Sequence, residues 1–126
     1  MWKKFNNNPT GRNVGDCAVR AVSVALGVDW EQAYILLADA GLQMGDLPNA
    51  DATWGAVLRQ HGFYRKAIPN ACPDCYTTED FANDHPRGVY VLGFGSHVAT
   101  IVGGVLYDSW DSSNEIPVYY WYRKDD

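Results

Sequence analysis

The sequence contains no long apolar run and has no excess of positive charge. No window approaches the roughly 20 consecutive apolar residues of a membrane-spanning helix, and the N-terminal MWKKFNNNPTG lacks the apolar stretch of a secretory signal. Ten Lys and Arg stand against 15 Asp and Glu, for a formal net charge of −5. This balance does not provide the basic stripe that phosphate backbones require. We therefore expect neither a membrane nor a nucleic acid as a partner.

Cysteine is also scarce, with three residues in 126. An odd number argues against a closed disulfide framework. In the absence of an export signal, reduced thiols and a cytoplasmic location are the simpler expectation. The length fits one compact domain over residues 1–126, with enough chain to bury one core.

The first half of the chain has helical patterns with recognisable ends. Asp16 is placed to cap a first helix, and Asp29 with Gln32 resembles a capping box that opens a second one. Glycine marks the expected end of each helix. The predicted helices run over 17–26, from 30 to about 40 (ending at Gly41) and over about 52–61, with a shorter one beginning at 77 or 78.

The second half changes to β patterns after a loop expected over 70–74. Four segments rich in β-branched and aromatic residues follow Gly88: VYVLGF, HVATIV, VLYDSW and PVYYWY. Residues 63–68 could add a short strand, and the aromatic run 119–122 is typical of a closing strand with one face in the core. The predicted class is α+β, with N-terminal helices packed on a C-terminal antiparallel sheet.

Cys17 is the first candidate functional residue because it lies in the first turn of the predicted first helix. Unpaired backbone N–H groups and the helix dipole stabilise a thiolate there and lower the cysteine pKa. The same N–H groups can bind a developing oxyanion. The neighbouring carboxylate of Asp16 opposes this effect unless capping occupies it. The structural alternative is a small apolar cysteine on a buried helix face.

His97 and Asp108 are predicted to lie together on one hairpin. Gly103–Gly104 forms a two-residue turn that pairs Val102 with Val105 and fixes the register of the two strands. Asp108 then becomes the diagonal neighbour of His97 on the same face. A carboxylate in that position fixes the tautomer of a catalytic histidine and stabilises its imidazolium form. An incidental strand histidine and an unrelated carboxylate are the alternative.

These residues resemble the pattern of the papain-like cysteine peptidases, in which a cysteine opens a helix and a later histidine opens a strand. The segment Asp108-Ser109-Trp110 resembles the Asn-Ser-Trp of papain itself, with aspartate in place of asparagine. Asp16-Cys17 at the helix start is similar to the bacteriocin-leader peptidases and the bacterial cell-wall endopeptidases. The resemblance implies a papain-like fold, and it implies that Trp110 packs over the polar residue and shields its bond to the histidine.

A second resemblance extends along nearly the whole chain. The segments GRNVGDCAVRAVSVALGVDW, CPDCYT, DHPRG and YDSWDSS are similar to a family of small proteins found in bacteria and phages. This similarity implies a fold rather than a substrate. It places the expected cytoplasm in a bacterium or in a phage-infected host cell.

The chain departs from the papain-like pattern at the oxyanion hole. Papain-like enzymes usually place a glutamine a few residues before the cysteine, and Gly11 stands at that position here. Asn13 and Asn8 are nearby amides that could substitute, or backbone N–H groups could act alone. The difference matters because loss of one oxyanion donor commonly costs about 10²–10³ in rate.

Cys72-Pro-Asp-Cys75 has the spacing of half a zinc site, and His85 or His61 could add a third ligand. One such pair is weak evidence, since a structural site normally shows four ligands. Redox or disulfide chemistry is a further alternative, although a thioredoxin-like motif would need a βαβ unit. A loop with packed thiols is the simplest interpretation, and no metal or other cofactor is expected.

The predicted function is that of a cysteine hydrolase, a peptidase or amidase. Cys17 is the expected nucleophile, His97 the general base and acid, with a pKa near the working pH, and Asp108 the residue that orients the histidine. Its partner would be a peptide or protein substrate with an amide or isopeptide bond. The alternative is a papain-like module of phage or bacterial origin that binds or inhibits a protein without turnover. A zinc-organised interaction protein is a third possibility.

Overall fold

Four helices and six strands make up the part of the chain that the computed structural model describes, residues 1–69 and 75–123. In chain order they are β1 (Trp2–Lys4), α1 (Cys17–Leu26), α2 (Trp30–Met44), α3 (Asp51–Gln60), β2 (Phe63–Ala67), α4 (Thr78–Asp84), β3 (Val89–Gly93), β4 (Val98–Val102), β5 (Val105–Asp108) and β6 (Tyr119–Arg123). The strands form one sheet in the order β1-β5-β4-β3-β6-β2. The predicted α+β class is confirmed. The loop expected over 70–74 lies outside the described residues.

Two helix ends have the predicted capping residues. Gly27 ends α1 in the left-handed conformation, with φ 68°, and Asp29 and Gln32 form the capping box of α2. The predicted end of α2 at Gly41 is wrong, because the helix continues to Met44. A Cβ at Gly41 would lie 2.8 Å from the carbonyl oxygen of Asp46. This glycine therefore allows the following loop to pack closely against the helix rather than ending it.

The β4–β5 hairpin has the predicted register. Val102 pairs with Val105 and Thr100 with Tyr107, around a turn in which both glycines have positive φ. His97 lies directly before β4, and Asp108 is the last residue of β5. The two side chains are thus delivered to the same end of the hairpin.

The first strand was not predicted, and it changes the sheet from antiparallel to mixed. Trp2–Lys4 pairs in parallel with β5, so that Lys4 lies opposite Asp108. The segment WKK is too short and too polar to show a period-two apolar pattern. Its pairing depends on an open edge of the hairpin, which only the folded chain provides.

Two apolar clusters cover the two faces of the sheet. Helices α1, α2 and α3 pack on one face, where Val22, Leu37 and Leu58 are fully buried against Val91. Helix α4 covers the other face through a second cluster of buried residues, Phe81, Ala82, Leu92, Phe94, Ala99, Ile101 and Leu106. The hydroxyl of Thr100 donates a 2.8 Å hydrogen bond to the carbonyl oxygen of Ala21, which fixes α1 across the centre of β4.

Within the described residues, no single helix is both long and apolar enough to cross a membrane. Helices α1 and α2 are long and apolar enough only when their lengths are added, and the chain bends by 110° between them.

Candidate active site

Cys17 lies at the start of α1, half-buried, in the wall of a cleft of about 270 Å³. Thr100 holds α1 against β4, so the N-terminal end of the helix reaches the end of the hairpin where His97 lies. Nine residues line the cleft: Gly15, Cys17, Ala18, Asn49, Asp51, Trp54, Ser96, His97 and Val98. Several of them are exposed, so the cleft beside Cys17 is open to solvent.

His97 and Asp108 are in direct contact, at 2.6 Å between Nε2 and Oδ2. Because a carboxylate only accepts hydrogen bonds, Nε2 of His97 carries the proton in this contact. Nδ1 is then left for Cys17, whose side chain is hydrogen-bonded to the same imidazole. The structure thus brings the three predicted residues together in the order Cys17, His97, Asp108.

The carboxylate of Asp108 is held by several donors and is fully buried. The Ser112 hydroxyl donates to its Oδ2 at 2.6 Å, and the Ser109 backbone N–H donates to its Oδ1 at 2.8 Å. Its backbone carbonyl accepts from the Phe5 N–H at 2.8 Å and from the Trp2 indole at 3.2 Å. These bonds fix the carboxylate, and through it the orientation of the imidazole.

A buried arginine connects this carboxylate to the start of α1. Arg20, only 4% exposed, contacts Asp16 at 2.8 Å and Asp108 at 3.4 Å. The predicted capping role of Asp16 is wrong: its side chain makes no cap hydrogen bond and instead binds Arg20 and, at 2.9 Å, the Trp30 indole N–H. The Asp16 charge is therefore neutralised by Arg20, beside Cys17. The first-turn N–H groups of α1 are also left without this cap.

The pKa of Cys17 lies below its ordinary value of 9.0. Burial raises this pKa, but four other influences together outweigh burial. They are the hydrogen bond from the His97 side chain, the hydrogen bond from the Val98 backbone, the His97 charge and the Arg20 charge. The arrangement favours the thiolate, the reactive form of the side chain.

The pKa of His97 is raised to about 9. Burial lowers this pKa, whereas the hydrogen bonds to Asp108 and to Cys17, together with their charges, raise it. The pKa of Asp108 is below its ordinary value. Burial raises this pKa, but the hydrogen bonds from His97 and Ser112 lower it by more than burial raises it. Taken together, these directions favour a thiolate, an imidazolium and a carboxylate in sequence. The expectation of a histidine pKa near the working pH overlooked the two anionic neighbours.

Aromatic rings surround the histidine. The Trp110 ring lies 5.0 Å from the His97 ring, and the Phe94 ring lies 5.7 Å from it. Trp110 is 44% exposed, so one side of its ring contacts the imidazole while another meets solvent. The contact agrees with the shielding position that the resemblance implied for Trp110.

The two amides expected at the oxyanion hole do not line the cleft. Asn8 is buried, and its side-chain oxygen accepts hydrogen bonds from both the backbone N–H and the hydroxyl of Thr10. Asn13 is exposed on the loop before α1. The side-chain amide in the cleft lining belongs instead to Asn49, which was not predicted because it arrives from the α2–α3 loop. No local motif marks that position.

The weak metal candidates do not form a site within the described residues. Cys72 lies outside them, and Cys75 is disulfide-bonded rather than reduced as expected. Nδ1 of His85 lies 2.8 Å from the Phe81 carbonyl oxygen, and the two rings stack at 3.9 Å. No group of three His, Cys, Asp or Glu capable of holding a metal ion occurs among residues 1–69 and 75–123.

Comparisons with known proteins found no relative of this chain. No protein-family model matches the chain, and no curated protein or solved structure matches it. The geometry nevertheless defines a class of site: a half-buried cysteine at a helix N-terminus, hydrogen-bonded to a histidine that a buried aspartate holds.

Proposed function

We propose that this protein is a cysteine hydrolase, a peptidase or amidase with a papain-like arrangement of Cys17, His97 and Asp108. The observation that carries the proposal is the position of His97, which bonds the Cys17 side chain on one side and the Asp108 carboxylate on the other, beside an accessible cleft. A purely structural cysteine would need none of these partners. The predicted fold of N-terminal helices on a sheet agrees with this class at the level of α+β architecture.

Acylation would begin from the thiolate–imidazolium pair. The Cys17 sulfur attacks the carbonyl carbon of an amide, and the C–O π electrons move to the oxygen. His97 then gives its proton to the amide nitrogen, the C–N bond breaks and the amine leaves. The acyl group remains on Cys17 as a thioester, and His97 is left neutral.

Deacylation would return the site to its starting state. Neutral His97 accepts a proton from a water molecule as the water oxygen attacks the thioester carbon. The C–S bond breaks, the acid is released and the thiolate is restored beside the imidazolium. Asp108 stays ionised throughout and holds the imidazole in one tautomer.

The oxyanion would be stabilised by the start of α1. The first N–H groups of a helix have no acceptor within the helix, and the Asp16 side chain does not bond to them. Together with the helix dipole they form a positive site next to the sulfur. We assign this role to the backbone of Cys17 and Ala18, with the Asn49 amide as the side chain in the cleft that could assist.

A papain-like module that binds without turnover is the alternative function. It would be expected to bury the sulfur under Trp110 or Trp54. Cys17 instead lines the cleft and has a lowered pKa, which are properties that catalysis uses and simple binding does not. These observations favour the hydrolase.

The test is the rate of Cys17 alkylation by iodoacetamide as a function of pH, resolved by mass spectrometry. We expect an apparent pKa well below 9.0 for the wild-type protein and a value closer to 9.0 for His97→Ala. His61→Ala is the matched control, because the His61 ring bonds the Val57 carbonyl oxygen and lies outside the cleft lining. An inert Cys17, or one that titrates as an ordinary thiol in all three proteins, would contradict the proposal.

A further inference from the structure

A second and larger groove adjoins the candidate active-site cleft. It has a volume of about 460 Å³ and lies between α3 and the strands β6 and β2. Asp51 and Trp54 line both the groove and the cleft, so the two spaces meet at the start of α3. A chain bound across Cys17 would reach the groove by passing these two shared residues.

Two arginines stand over aromatic rings in this groove. The Arg65 guanidinium lies 4.0 Å from the centre of the Tyr119 ring, and that of Arg59 lies 5.1 Å from the Trp121 ring. Both arginines are exposed, whereas both rings are nearly buried. Attraction to the ring face holds each guanidinium group in place, and its N–H groups can still donate hydrogen bonds to a ligand.

Neither arginine has an acceptor among residues 1–69 and 75–123. Ion pairs there involve Arg20 and His97 with acidic partners, and no side-chain hydrogen bond from Arg59 or Arg65 occurs among the same residues. Both guanidinium groups can therefore pair with a bound anion. The planar N–H fork of arginine matches a carboxylate in a bidentate contact.

We propose that this groove binds an acidic side chain of a peptide substrate, so that the enzyme selects peptides with Glu or Asp near the bond that is cleaved. The inference rests on the proposed hydrolase function, because Cys17 defines where the peptide lies. Arg59 and Arg65 would hold the substrate carboxylate, and the aromatic floor would contact its carbon chain.

Asp51 determines how close to the cleft the acidic side chain of a substrate can bind. Its carboxylate accepts a 3.1 Å hydrogen bond from the Trp54 indole and stands where the groove joins the cleft. A substrate carboxylate at that junction would be repelled. The acidic side chain is therefore placed at the arginine end of the groove, and a neutral part of the peptide passes Asp51.

Binding can be measured without turnover by using the Cys17→Ala variant. The probes are three fluorescein-labelled, end-capped peptides with two central glutamates, two glutamines or two lysines between glycines, followed by fluorescence anisotropy. We expect the glutamate peptide to bind at least tenfold more tightly than the glutamine peptide, and the lysine peptide to bind weakest. Arg59→Gln and Arg65→Gln should each weaken glutamate-peptide binding about tenfold and leave glutamine-peptide binding unchanged.

Arg87→Gln is the matched control, since it removes the same charge from an exposed residue outside the groove lining. Circular dichroism establishes that each variant is folded. Equal binding of the glutamate and glutamine peptides would overturn the proposal, and so would an equal loss in Arg87→Gln, which would indicate a general charge effect. Tighter, arginine-dependent binding of a short oligothymidylate would overturn it in favour of a nucleic-acid ligand.

The hydrolase and the acidic subsite fail in different ways. If Arg59 and Arg65 select the glutamate peptide but Cys17 has an ordinary thiol pKa, the subsite stands and the hydrolase is refuted. If the wild-type protein cleaves peptides with no preference for acidic residues, the hydrolase stands and the subsite is refuted.

Discussion

Replacement of Arg20 by methionine tests the buried charge network behind the candidate site. The side chain is 4% exposed and contacts two carboxylates, Asp16 at 2.8 Å and Asp108 at 3.4 Å. Methionine fills a similar volume without a charge, so the variant leaves the packing nearly intact. Both carboxylates are buried and would lose their common cation. The free energy of unfolding should fall for that reason.

The magnitude follows from the partners that remain. Removing one member of a buried ion pair typically costs about 3–5 kcal/mol. Asp16 would keep the Trp30 indole, and Asp108 would keep His97 and Ser112. We therefore expect the lower end of that range, about 3 kcal/mol, which corresponds to a fall of about 10 °C in Tm for a domain of this size.

Urea unfolding at pH 7, followed by tryptophan fluorescence, measures this loss. Arg87→Met is the control, because Arg87 is exposed and its variant should stay within about 0.5 kcal/mol of the wild type. The double variant Arg20→Met/Asp16→Asn should recover about 1 kcal/mol, since it removes one of the uncompensated charges. A loss below about 1 kcal/mol in Arg20→Met, with unchanged m, would refute the reasoning.

Three further predictions concern the site and the groove. By NMR titration, the imidazole of His97 should lose its proton near pH 9 in the wild type and at lower pH in Asp108→Asn, because the neutral amide no longer stabilises the imidazolium; an unchanged titration would contradict this assignment. In Trp110→Ala the same titration should shift towards 6.5, since water would reach the bond to the carboxylate and weaken its effect, and an unshifted pKa would exclude shielding. Gly93→Ala should destabilise the fold by about 3 kcal/mol in urea, because its Cβ would lie 2.1 Å from a packed aromatic ring. Gly95→Ala is its control, with no atom within 4 Å of the added Cβ, and equal losses in both would show that the contact is not the cause.

Local rules predicted those parts of the site that lie close together in sequence. The two glycines at 103 and 104 determine the hairpin register, and that register brings Asp108 to the end of the strand where His97 stands. The start of α1 at Cys17 was visible from the apolar helical pattern that follows it. Contact between the helix and the hairpin could be inferred only from the chemistry of the three residue types.

The features that were missed depend on contacts between distant segments. Asp16 has the residue type and position of a helix cap, but a buried arginine one turn later competes for its carboxylate. Gly41 has the appearance of a helix stop, but the close approach of the next loop is what requires glycine there. Asn49 enters the cleft from a loop without any motif. Each outcome was decided by tertiary packing, which single-sequence patterns do not encode.

The pairing of β1 with β5 has a consequence for the timing of activation during synthesis. The Trp2 indole donates to the Asp108 carbonyl, a contact between residues 106 positions apart. Contacts between residues so far apart in sequence form late in folding, because the entropic cost of closing the long loop must be overcome first. While a nascent chain still lacks β4 and β5, Cys17 has neither His97 nor Asp108 and reacts as an ordinary thiol. The contacts that lower the Cys17 pKa therefore form only once the β4–β5 hairpin is in place.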